Sequence, residues 1–127
     1  FHDLTYVCAP APFQHGAAAG LEQLPASFYK QLAADHQDKR GRMLSALAAA
    51  GMEAAVPPGA YYVLARASRL PGKKAAEKAR HLLAATGVAA VAGSAFFRAG
   101  RGEDLLRFCF AKKDAELDEA CARLRKL

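Results

Sequence analysis

Leu105-Leu106-Arg107-Phe108-Cys109-Phe110-Ala111 is an apolar run with one ionised side chain at its centre. Read as a strand, its side chains alternate. Leu106, Phe108 and Phe110 share one face, while Leu105, Arg107, Cys109 and Ala111 share the other. The first face is suited to a core. The second aims a guanidinium at something, because burying an unpaired cation is costly. A planar guanidinium grips a carboxylate in bidentate fashion, so an anionic ligand is one reading of Arg107. Pairing with a neighbouring acid, Glu103 or Asp104, is the other, and the strand alone leaves both open.

Outward from this run, helical and strand-like segments alternate. Ala60 to Arg66 is aromatic and β-branched and reads as a strand. With Glu53 to Val56 and the turn residues Pro57-Pro58-Gly59 it forms a hairpin candidate. Lys73 to Thr86 reads as a helix stopped by Gly87, Val88 to Val91 as a short strand, and Ala92 to Phe97 as a loop. Asp114 is placed to cap a last helix with the apolar stripe Leu117, Ala120, Cys121 and Leu124. Toward the N-terminus, Leu4 to Cys8 reads as an extended arm, and Pro10 and Pro12 argue against a helix before Gln14. The small residues from Gly16 to Gly20 suit a helix packed closely on another surface. After the break at Pro25, Ser27 is placed to cap a long helix ending at Gly51. On that helix Lys39 to Arg42 reads as a solvated face, and Tyr61 and Tyr62 read as core and sheet-surface residues. The pattern predicts an α+β fold, a small, mostly antiparallel or mixed sheet flanked by helices.

The 127 residues are 53% hydrophobic, enough for one domain with a core. The chain opens on Phe1 without a signal-like segment, and is expected to be a piece of a longer one. No apolar run is long enough for a membrane span. The three cysteines, Cys8, Cys109 and Cys121, are widely spaced, which suits reduced thiols in the cytoplasm. His2, His15, His36 and His81 lack metal-ligand spacing, so no metal is expected. The formal charge of +6 invites a nucleic-acid reading, but the basic residues are not interleaved with exposed aromatics, and no nucleic-acid partner is expected. No glycine pattern matches a phosphate loop.

Four motifs in order carry a resemblance. They are Ala9-Pro10-Ala11-Pro12-Phe13-Gln14 before a small-residue helix; Pro58-Gly59-Ala60-Tyr61-Tyr62; Gly87-Val88 with Ala92-Gly93-Ser94-Ala95-Phe96; and Leu106-Arg107-Phe108-Cys109-Phe110-Ala111. Together they resemble the C-terminal portion of the class I/II, fold type I, pyridoxal-phosphate-dependent aminotransferases, across essentially the whole chain. The pattern is most similar to the kynurenine, methionine and aromatic branch and to bacterial relatives of aspartate aminotransferase. Ala92 stands where such proteins usually have proline.

The resemblance implies that Arg107 binds the α-carboxylate of an amino-acid or 2-oxo-acid substrate, and that Phe96 walls the side-chain pocket. It also implies that Val7 and Cys8 reach the active-site mouth of a neighbouring subunit in a homodimer; a plain buried segment is the competing reading of those two. Residues 1–24 would be a remnant of the large domain and interdomain helix, and 25–127 the small domain. The family's Schiff-base lysine, in a Ser-x-x-Lys context, and its phosphate-binding arginine match nothing here, and Lys73, Lys74, Lys112 and Lys113 lack that context. Pyridoxal 5'-phosphate is therefore expected in the parent enzyme and not on this chain, which alone should not transaminate. A carbon–sulfur lyase or aminocyclopropane-carboxylate synthase would use the same arginine, and a noncatalytic basic binding module is the alternative outside the fold.

Overall fold

The computed structural model describes Thr5 and residues 8–127, which fall into two compact units, Phe1–Ala34 and Asp35–Leu127. In the first unit, helix α1 (Ala11–Gln23) starts earlier than the prolines suggested. The first N–H groups of a helix have no acceptor within it, so Pro12 loses nothing in the first turn. The Pro10 carbonyl accepts from Phe13 N and Gln14 N at 3.0 and 3.2 Å. No residue of α1 is buried, and Phe13 stands 76% exposed. Helix α2 (Ala26–Ala49) begins before Ser27, which is therefore inside the helix and not its cap. Its first turn closes on the Pro25 carbonyl.

The second unit is built on a four-stranded sheet in the order β1-β2-β4-β3, with every neighbouring pair antiparallel. The strands are β1 (Glu53–Ala54), β2 (Tyr62–Arg66), β3 (Val91–Ala92) and β4 (Leu105–Cys109). The expected hairpin is β1 and β2, registered Glu53 to Arg66 and Ala54 to Ala65. Val63, Ala65, Leu106, Phe108 and Phe110 are buried in one cluster with Met43 and Leu47 of α2, Leu82 of α3 (Ala75–Thr86), and Leu117, Cys121 and Leu124 of α4 (Asp114–Leu124). Alternation along β4 thus sorts its side chains as expected, Leu106 and Phe108 fully inside and Leu105, Arg107 and Cys109 half-buried opposite.

Further local expectations are corrected. Helix α3 starts at Ala75, not Lys73, because the Glu77 carboxylate turns back to accept from Lys73 N (2.8 Å) and Lys74 N (3.3 Å), which also holds that carboxyl below its usual range. The strand expected over Val88 to Val91 is only Val91–Ala92, since Val88 N is still bonded to Thr86 Oγ1 after the left-handed stop at Gly87 (φ 72°). The loop after it contains a 3-10 turn, Gly93–Phe96.

The Lys39 to Arg42 cluster is not a solvated face. Lys39 Nζ donates to the Lys112 carbonyl at 2.7 Å, Arg40 to the Pro57 carbonyl at 2.6 Å, and Arg42 to Asp114 and to Asp118 (2.7 Å), with Asp38 3.0 Å away. Asp114 is accordingly the first residue of α4 and not its cap, its carboxylate engaged by Arg42.

Candidate functional site

The site begins with pairing register. Arg107 lies on the central strand β4, opposite Leu64 of β2 on one side and Val91 of β3 on the other. Tyr62 is opposite Cys109, hence diagonal to Arg107 on the same face and within reach of a long side chain. The Arg107 guanidinium carbon sits 4.0 Å from the Tyr62 ring centroid and 4.2 Å from that of Phe96. Both are cation–π distances.

Phe96 is brought there by backbone contact. A Cβ on Gly93 would come within 2.6 Å of Leu105 and 2.7 Å of the Gly102 carbonyl, so the 3-10 turn lies directly on the start of β4. Only glycine fits so close an approach. A Cβ on Gly102, whose φ is 76°, would come within 2.6 Å of Phe97 and 3.0 Å of the Gly93 backbone, so this glycine locks the connection from the other side.

The acids that would have neutralised Arg107 are engaged elsewhere. Asp104 pairs with Arg66, and Glu103 Oε2 accepts from Ala75 N at 2.7 Å, at the start of α3. Among the described residues no carboxylate lies within ion-pair distance of Arg107. The ring of Tyr61 lies 4.3 Å from that of Tyr62. The Tyr61 hydroxyl first, then burial, hold the Tyr62 phenol above its usual range, against the opposing pull of Arg107. Tyr62 is therefore a neutral ring beside a cation. Ring contacts use no N–H, so the guanidinium keeps its charge and donors for a planar anion.

Of the residues singled out in the sequence, Arg107 and Phe96 are brought together. Cys8 is exposed, and Val7 lies outside the described residues. Tyr62 was missed as a site residue; the signal for it is its place two positions from Leu64, the register partner of Arg107, which only strand pairing reveals. Cys109 shares the face, half-buried, two residues beyond Arg107. Among the described residues there is no cluster of histidine, cysteine or acidic side chains able to hold a metal, and no helix is long and apolar enough to cross a membrane. The four strands contain no lysine.

Comparison with known proteins supplies the family. A family model for class I and II aminotransferases matches residues 2–124. The kynurenine–oxoglutarate transaminase of Dictyostelium discoideum is 30% identical over 146 residues, covering 99% of this chain and 34% of that protein. The structure of YbdL from Escherichia coli, described as having a methionine aminotransferase function, superposes with a TM-score of 0.82 at 31% identity, covering 99% of this chain and 33% of the other. That of N-succinyldiaminopimelate aminotransferase from Mycobacterium tuberculosis does so with a TM-score of 0.81 at 30% identity, covering 98% and 32%. The chain thus spans about a third of the length of these relatives. With residues 2–124, nearly its whole length, matched by the family model, the chain belongs to the class I and II aminotransferase family.

Proposed function

We propose that this chain is the substrate-carboxylate half of an aminotransferase that moves an amino group between an α-amino acid and a 2-oxo acid, with Arg107 gripping the α-carboxylate. The observation that carries this is an arginine on the central strand with no acid partner among the described residues, stacked on two aromatic rings on the half-buried face of the sheet. In a family whose substrates carry an α-carboxylate, a cation kept free of local acids is suited to that group. A bidentate clamp fixes the substrate's rotation as well as its position, which transamination requires because the α-proton must leave in one direction. Phe96, 45% exposed beside the guanidinium, serves as a wall for the part of the substrate next to the carboxylate.

In this reading the parent enzyme uses pyridoxal phosphate, which when bound supplies the electron sink for the charge left at the substrate's α-carbon. Its lysine and phosphate anchors belong to a large domain. Residues 25–127 form the small domain and residues 1–24 lead into it from the large one, with the whole protein a cytoplasmic homodimer. Val7 and Cys8 are assigned to the mouth of the partner's site.

The test is Arg107→Ala in the full-length protein. kcat/KM for amino acids should fall about 100-fold or more, a few kcal/mol of transition-state binding, while the cofactor's absorbance is retained. Near-normal turnover would remove Arg107 from this role.

A further inference from the structure

We infer that Tyr62 is a positioning residue for Arg107, holding the guanidinium by its face so that its charge and its N–H edges stay available to the substrate carboxylate. The inference rests on the reading of Arg107 as the carboxylate grip and assigns the means by which that grip is kept ready.

A long, flexible arginine side chain must be held still to bind in bidentate fashion, and an acid is the usual holder. Here that route is closed: Asp104 is engaged by Arg66 and Glu103 by the start of α3. It would also defeat the purpose, because a carboxylate occupies the N–H fork and cancels the charge. An aromatic face does neither, since it attracts the cation through its quadrupole and leaves every N–H free.

Tyr62 and Phe96 both touch the guanidinium, but their supports differ. Phe96 rides on a single 3-10 turn and is 45% exposed. Tyr62 belongs to β2, whose residues from Tyr62 to Arg66 are all registered against β4, the strand that carries Arg107. Ring and cation are therefore fixed in one rigid frame, and Tyr62 is the holder that does not depend on the loop. The Tyr61 ring, 4.3 Å from that of Tyr62, supports it in turn.

The experiment uses the full-length protein and compares the amino acid it transaminates best with the amide of that amino acid. Tyr62→Leu should raise KM for the acid on the order of tenfold and leave KM for the amide nearly unchanged, so that the preference for a carboxylate narrows. Tyr62→Phe, which keeps the ring, should hold the wild-type preference to within about twofold. Both ratios are independent of the fraction of enzyme folded, so a merely structural role would not move them. Tyr62→Val, β-branched and suited to a strand, carries the same expectation as leucine where leucine fails to fold. A carboxylate preference undiminished in the leucine or valine variant, with Arg107→Ala losing it, overturns the role of Tyr62 alone. A preference undiminished in Arg107→Ala overturns the reading of Arg107 and this inference with it.

Discussion

Arg42 and Arg107 are the same side chain in opposite surroundings. Arg42 joins α2 to α4, bonded to Asp114 and Asp118 with Asp38 one turn before it on its own helix, and its side chain is 27% exposed. Its charge is spent inside the molecule. Arg107, on the central strand, is stacked on Tyr62 and Phe96 while the two acids nearest it in sequence are drawn off by Arg66 and by Ala75 N. Arg42 is surrounded by acids, whereas Arg107 is held by rings that leave its charge unpaired, as the proposed carboxylate grip requires. The contrast is sharper than burial alone would suggest, since both side chains are only partly covered.

The largest effect separates the two faces of β4. Phe108→Ala should lower the unfolding free energy by about 3–5 kcal/mol, because a fully buried ring leaves a cavity under the sheet. Urea unfolding measures it, and a loss well under 1 kcal/mol would mean that this face is not the core. Next is Gly93→Ala, where a methyl would meet Leu105 and the Gly102 carbonyl at under 3 Å. It should cost about 1–3 kcal/mol of stability. It should also raise KM for amino acids in the full-length protein, since the turn it displaces carries Phe96 onto Arg107. Lost stability with unchanged KM would show that Phe96 adds nothing to the grip.

Much of this arrangement could be read from the chain itself. The alternation in Leu105 to Phe110 decides which face of β4 is inside, and the hairpin residues decide which strand precedes it. Side-chain partners at long range could not be read. The cluster Lys39 to Arg42 looks solvated until α4 is placed beside it, because Asp114 and Asp118 lie more than seventy residues away in sequence. Asp114 looks like a cap for the same reason: its local position favours the helix end, while Arg42, which engages its carboxylate, lies on another helix. Tyr62 went unrecognised because a diagonal cross-strand neighbour is defined by register, and register is a property of two strands. The free state of Arg107 was open in the sequence between an anion and a local acid. Asp104 and Glu103 turn to Arg66 and Ala75 N, which removes the local acids and leaves the anion as the proposal.

The smallest effect concerns the spent charge of Arg42. Hydrogen bonding to Arg42 holds the Asp114 carboxyl below its usual range, so Asp114 binds protons more weakly folded than unfolded. Its contribution to stability is therefore complete above the ordinary carboxylate value of about 3.9 and is lost as pH falls through the lower folded value. Arg42→Gln should lower stability at neutral pH and flatten the decline below about pH 4, because Asp114 then titrates nearly alike in both states. Thermal unfolding of the chain across that range checks it, and an acid limb as steep as the wild type's would show that the pair does not couple to folding. A residual slope is expected, since Glu77 is also held low by Lys73 N and Lys74 N, and Glu77→Gln on top of Arg42→Gln should reduce it further. Neither change should alter the carboxylate preference at Arg107, since the charge spent at Arg42 and the charge kept at Arg107 draw on different acids.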